Sequence, residues 1–321
     1  MTATKPTSPA PISPAPISLA IVGVGKIARD QHVPSILGNP AFQLAATASR
    51  SGAIDGVEAF DSIEALLGNR PDIQAVALCQ PPQVRFEAAA KALRAGRHVL
   101  LEKPPGATLS EVQALVEMAS ERRLALFATW HSRFAAAVEP ARRWLADKTI
   151  RHVTVTWKED VRRWHPGQAW IWQPGGLGVF DPGINALSIF TAILPRPMHL
   201  VRSNLEFPAG RAAPIAAQLA FEGEDGVTAS ADFDWRQTGP QTWDIEVATA
   251  EGRLVLSKGG AEMTIDEKPV VVEDDREYAG IYRRFAELVR SGEVDVDLAP
   301  LVHVADAFML GERQTVEAFE D

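Results

Sequence analysis

The chain has 321 residues, 46% of them apolar and 23% charged, which is enough to bury a full core and by length favours two units over one. A formal net charge of −9 excludes a general affinity for nucleic acid or an anionic membrane, since no basic block offsets the acidic excess. The single cysteine, Cys79, excludes an internal disulfide framework and a multi-cysteine metal site, and reads as a small hydrophobe at a strand end.

Residues 1–17 are rich in Pro, Ser and Ala and repeat Ser8-Pro-Ala-Pro-Ile12 as Ser13-Pro-Ala-Pro-Ile17. Such a composition buries no core and favours extended conformers, so a flexible tail is expected, or else an arm laid on a neighbouring subunit. No apolar run reaches transmembrane length, and the N-terminus lacks a charged segment followed by an apolar one; a cytoplasmic protein is expected.

The run Ile17 to Val22 leads straight into Gly23-Val-Gly25-Lys26-Ile27-Ala28 and then a helix. A strand turning on two glycines into a helix N-terminus exposes backbone N–H groups and the positive helix dipole, the makings of a pyrophosphate site. Gly23 supplies the tight turn, Gly25 the close approach to phosphate, and Ala28 a side chain small enough for helix to meet strand. A helix from Lys26 to Leu37 and a strand from Phe42 to Ala48 follow, then a helix start at Asp61-Ser-Ile-Glu64. A strand is expected over 73–78, a helix over 83–95, a strand over 98–101, a helix after the capping-box spacing Thr108-x-x-Glu111, and a strand over 124–128. Strands separated by helices need crossover connections, so this sheet is read as parallel and covered on both faces.

After a helix near Phe134 to Ala146 the pattern changes to alternating strands at 152–157, 216–221, 228–235, 243–248, 253–256, 262–265 and 270–272, several joined by hairpin-like turns. Two helices, about Tyr278 to Ser291 and Leu298 to Ala318, finish the chain. The expected organisation is a tail over 1–17, a dinucleotide-binding α/β unit with a parallel Rossmann sheet over 18–135, and a substrate-binding α+β unit with a largely antiparallel open sheet over 136–321.

His98-Val-Leu-Leu-Glu102-Lys103-Pro104 stands at the carboxyl end of a central parallel strand, the edge at which open α/β sheets bind ligands. Through Gly23 to Ala28, the Gln80-Pro81-Pro82 loop and Glu102-Lys103-Pro104, the chain resembles the glucose-fructose oxidoreductase and inositol dehydrogenase family over about residues 17–320. The resemblance implies reversible hydride transfer on sugars, polyols or related carbonyls, with Lys103 at the catalytic lysine position and Gly23, Gly25, Lys26, Ile27, Gln80, Pro81, Glu102 and Lys103 around the cofactor. The family's second signature, Asp-x-Gly-x-x-His or close to it, is matched by Asp181-Pro-Gly183-Ile-Asn185, with Asn185 in the histidine position. Asp181 and Asn185 share a helix face, and Asp181 also fits a helix N-cap. Asn185, with the tryptophans, narrows the resemblance to the family's sugar 1-dehydrogenases acting on L-arabinose and D-galactose; that subgroup implies Lys103, Asp181 and Asn185 as catalytic and His131, Trp164 and Trp243 as sugar-contacting.

Oxidising a cyclic aldose at C1 leaves a proton on O1, so a base must reach that oxygen. A positive nicotinamide beside Lys103 favours the neutral amine a base requires, whereas Asp181 stabilises the ammonium; either residue is a candidate for the proton. Six of the eight tryptophans lie after residue 156, and flat indoles with hydrogen-bonding neighbours suit the apolar faces of a pyranose, although any one of them is more at home in a core. No metal is expected: His165 lies near Glu159 and Asp160, but no His or Cys pair has helix-face ligand spacing. At the end of the second strand Ser49 and Arg50 replace the acidic residue that binds a ribose diol, so NADP is expected to be preferred and NAD tolerated. The expected partners are a small sugar and a second copy of the chain, with no nucleic acid or membrane. Another substrate of the same family and a non-catalytic cofactor-binding regulator are the rival readings.

Overall fold

The computed structural model describes residues 15–272 and 276–320; the tail repeat, through residue 14, lies outside the described residues. Strands β1 (Ile17–Val22), β2 (Phe42–Ala48), β3 (Glu58–Phe60), β4 (Ala75–Leu78), β5 (His98–Leu101) and β6 (Leu126–Ala128) form a parallel sheet in the order β6-β5-β4-β1-β2-β3. All four residues of β4 are buried, the signature of a strand with helices on both faces. The first helix spans 26–37 as expected, but over Ala28–His32 its turn broadens to the i→i+5 pattern, and His32 there is fully buried. Thr108 caps Leu109–Arg122 by accepting the Glu111 N–H at 3.3 Å, and Glu111 reaches back to the Ala107 N–H at 3.1 Å.

The second sheet contains β7 (Ile150–Lys158), β8 (His199–Pro208), β9 (Ala216–Glu222), β10 (Thr228–Asp234), β11 (Thr242–Thr249), β12 (Arg253–Ser257), β13 (Glu262–Ile265) and β14 (Lys268–Val272). The chain then returns: helix Glu277–Ser291 packs on the first sheet, where Phe42 meets Tyr282 and Phe285 with ring centroids 5.4 and 5.9 Å apart, and β15 (Val294–Asp295) pairs with β6. Helix Ala299–Leu310 and β16 (Gly311–Val316) complete the second layer, ordered β14-β13-β12-β11-β7-β10-β9-β8-β16. This sheet is largely antiparallel, but β7 and β10 pair in parallel, as do β8 and β16. Helix Phe180–Ile193, buried along most of its length, lies against it.

Three local expectations are corrected. The helix expected from Phe134 begins only at Val138, because Ala135 is extended and ends the short turn His131–Phe134. Strand β8 went unread: a bulge between Leu200 and Arg202 breaks its alternation. The last helix stops at Leu310 rather than Ala318, because Gly311 takes an extended conformation with its Cα against Leu205 and Glu312 to Val316 extend along β8. Among the described residues no helix is long and apolar enough to cross a membrane.

Candidate active site

The glycine loop is shaped by close approach. Gly23 has φ +90°, and a Cβ there would lie 2.9 Å from both the side chain and the backbone nitrogen of Gln80, whereas Gly25 is open on its side-chain face. The loop therefore leans on the Gln80-Pro81 loop and leaves its backbone open at the start of the first helix. Ala28 is fully buried beneath it. These residues fit a dinucleotide, whose phosphates are held by free N–H groups at a helix N-terminus.

Gly25, Lys26 and Ile27 open onto a cavity of about 750 Å³ between the two sheets, whose wall also holds Gln80, Pro81, Glu102, Lys103, His131, Trp164, Asp181, Asn185 and Trp243. Gly23 supports this wall from behind. Ser49 and Arg50 lie apart, at the end of β2; Ser49 Oγ accepts the Ser51 N–H at 3.3 Å and Arg50 is exposed. Twelve of the residues singled out in the sequence thus surround one space.

Lys103 and Asp181 meet inside it. Lys103 Nζ donates to Asp181 Oδ2 at 3.1 Å and to the Asp181 carbonyl at 3.0 Å, across 78 residues of chain. Asp181 is not an N-cap: it lies within the first turn of Phe180–Ile193, one turn before Asn185 on the same face. The helix can start there because Gly178, at φ +53°, passes where a Cβ would lie 2.2 Å from the Pro214 carbonyl oxygen. Burial pushes the Asp181 carboxyl up, but Lys103 and His165 outweigh it and hold the group below the usual carboxylate range. His165 Nε2 is 3.2 Å from the same Oδ2, and burial pushes its own pKa down.

Besides His165, two residues of the cavity wall escaped the sequence reading as site residues. Glu159, just past β7, accepts the indole N–H of Trp235 at 3.1 Å and of Trp243 at 3.0 Å. Burial raises its pKa to about 7, against the pull of the two indoles and Lys103 and with that of Asp181. Glu277, from the returning helix, joins His131 in the wall. Trp164 and Trp243 lie 5.7 Å apart, with Trp157 on the far side of Trp243 at 6.2 Å. Trp172 and Trp235 are core residues, at 3% and 0% exposed.

Behind Lys103 lies a buried polar network. Glu102 Oε2 accepts the Lys103 backbone N–H at 2.9 Å, while Oε1 contacts His32 Nε2 at 2.9 Å and the Tyr278 hydroxyl at 2.9 Å. His32 Nδ1 reaches Tyr282 Oη at 2.7 Å, and the Arg85 guanidinium donates to the carbonyls of Gln80, Glu102 and Pro104. Burial opposes the Glu102 charge, yet His32, His131 and Arg85 overcome it and hold the carboxyl down to about 2. Burial likewise opposes the His32 charge, but its acidic neighbours Cys79, Tyr282 and Glu102 raise the imidazole well above its ordinary value.

Comparison with known proteins agrees with the fold. Residues 17–129 match an oxidoreductase family with an NAD-binding Rossmann fold. Over 305 residues the chain is 47% identical to a galactose 1-dehydrogenase of Pseudomonas fluorescens, covering 94% of this chain and 98% of that protein. The crystal structure of a D-galactose-1-dehydrogenase from Rhizobium etli superposes with a TM-score of 0.93 at 60% identity, covering 96% of this chain and 99% of that one. A 3-ketoreductase from Actinomadura kijaniata, in complex with NADP and TDP-benzene, shares the fold alone, with a TM-score of 0.79 at 21% identity over 94% of this chain and 99% of its own. On the family match and on the 47% identity over nearly the whole length of both proteins, the chain belongs to the glucose-fructose oxidoreductase and inositol dehydrogenase family of oxidoreductases.

Proposed function

We propose that this chain is an NAD(P)-dependent aldose 1-dehydrogenase that oxidises D-galactose or L-arabinose at C1 to the aldonolactone. The observation that carries the reading is the 3.1 Å contact of Lys103 and Asp181 in a cavity bordered by the dinucleotide loop on one side and by Trp164 and Trp243 on the other. The similarity to two galactose dehydrogenases supports the sugar. Gly23, Gly25, Lys26, Ile27, Gln80, Pro81 and Glu102 hold the cofactor, which when bound supplies the hydride acceptor. Lys103, in the neutral amine form that a positive nicotinamide beside it favours, takes the proton of O1, and Asp181 and Asn185 orient that oxygen; transfer of the proton to Asp181 is the rival assignment. Indole faces of Trp164 and Trp243 pack on the C–H face of the ring, and His131 contacts a hydroxyl. A spectrophotometric screen of nicotinamide reduction across aldoses and inositols tests this: reduction with D-galactose or L-arabinose is expected, and reduction with inositols alone overturns it.

The cofactor preference follows from Ser49 and Arg50. An arginine at this strand end pairs with a 2′-phosphate, and the serine hydroxyl donates to the same oxygens. Arg50→Ala is expected to lower the NADP to NAD ratio of kcat/KM by about tenfold, the scale of one charge-assisted hydrogen bond. An unchanged ratio refutes the preference. The cytoplasm, and a dimer formed through the open sheet, complete the proposal; light scattering tests the dimer.

A further inference from the structure

Glu277 has no part in the roles given above, yet it stands in the cavity wall beside a residue that does. Its Oε2 is 2.5 Å from His131 Nδ1, and the Ser132 hydroxyl is 3.3 Å from the same nitrogen. Tyr278, the next residue of the returning helix, stacks on the imidazole with centroids 5.6 Å apart and planes at 21°. The ring is thus clamped at one edge and on one face. With Nδ1 committed to Glu277, Nε2 is the nitrogen left for the cavity.

We propose that Glu277 is a positioning residue that holds His131 as an imidazolium, whose Nε2–H donates to a hydroxyl oxygen of the sugar. This rests on the aldose reading above. Three charges face His131 from two elements: Glu277 from the start of the returning helix, and Glu102 and Lys103 from the end of β5. Burial and Lys103 disfavour the cation, but the two carboxylates outweigh them, so the imidazole keeps its proton to higher pH than a free histidine. The donor is present below the folded-state value and disappears as pH rises through it. Tyr278, whose hydroxyl is held by Glu102, contributes the stacking face and no charge at neutral pH.

Glu277→Gln separates charge from orientation, because a carboxamide oxygen still accepts the Nδ1–H but carries no charge. NMR titration of the His131 ring, assigned by comparison with His131→Gln, is expected to show a midpoint about one pH unit lower in Glu277→Gln than in the unaltered chain, with Glu277→Asp restoring most of it. At a pH between the two midpoints the protonated fraction of His131 falls about threefold in Glu277→Gln, so the KM for D-galactose is expected to rise about threefold with little change in kcat, since a contact made equally in ground and transition states affects binding alone. An unmoved His131 midpoint overturns the pairing whatever the substrate. A shifted midpoint with an unchanged KM overturns the donation to sugar, and a chain that oxidises no aldose overturns the sugar reading while the titration still decides whether Glu277 charges His131.

Discussion

Lys103→Met and Asp181→Asn are each expected to lower kcat by about 100-fold or more with the fold intact, the scale of lost acid/base catalysis. Methionine keeps the length of the lysine stem and removes its proton-accepting nitrogen. Asparagine keeps an oxygen for the Lys103 ammonium but removes the negative charge that Lys103 and His165 share, at 3.1 and 3.2 Å. The carboxylate is held below its usual range and is ionised at neutral pH, so the asparagine variant loses a charge the site uses. Steady-state kinetics on D-galactose with both cofactors measures the effect. A deficit greater at position 103 than at 181 assigns the O1 proton to the lysine, the reverse order assigns it to the aspartate, and near-normal turnover in both variants removes the mechanism.

His32→Leu is expected to destabilise the protein by about 3 kcal/mol, because it removes the one cation in direct contact with the buried Glu102 carboxylate and leaves only His131 and Arg85, which do not touch it, to offset the charge. The Tyr278 hydroxyl and the Lys103 N–H still reach Glu102, but neither neutralises it. Adding Glu102→Gln to His32→Leu is expected to recover part of the loss, since an amide keeps an acceptor for Lys103 and drops the charge. Urea unfolding at neutral pH decides it; a loss below about 1 kcal/mol for His32→Leu shows that the pair adds no more than an ordinary hydrogen bond. The pair also sets a pH window. Glu102, held near 2, contributes stability that is present above its unfolded value of about 4.3 and is lost as pH falls through 2. His32, raised in the fold, contributes stability that is complete below its unfolded value of about 6.5 and is lost as pH rises through the folded one. The contribution is therefore whole between those two unfolded values and declines on either side.

Much of the nucleotide side was legible because its signals are local. Glycines after a buried strand, a capping-box threonine and a lysine at a strand end each carry their geometry in a few adjacent residues. Lys103 and Asp181 were legible as motifs, and their meeting required the fold. Glu159 looked like one charge in a run, Lys158-Glu159-Asp160, and only the pairing of β7 with β11 and the link of Glu159 to Asp234 place it under two indoles. Glu277 was invisible for a similar reason: it follows the second sheet in sequence but belongs beside the first. Strand β16 shows tertiary context overriding propensity. Glu312, Arg313 and Gln314 favour helix, yet an exposed sheet edge along β8 takes them as strand.

The return of residues 277–295 to the first sheet bears on how the protein is made. A ribosome that has delivered the chain through Ala128 has produced six strands whose face at Leu19, Ile21, Leu100 and Phe127 still lacks Ile281, Tyr282 and Phe285. That face is covered only in part, by Ala28 and Ile36 of the first helix, until almost the whole polypeptide has emerged, so the nucleotide layer, first in order of synthesis, is among the last parts to be completed.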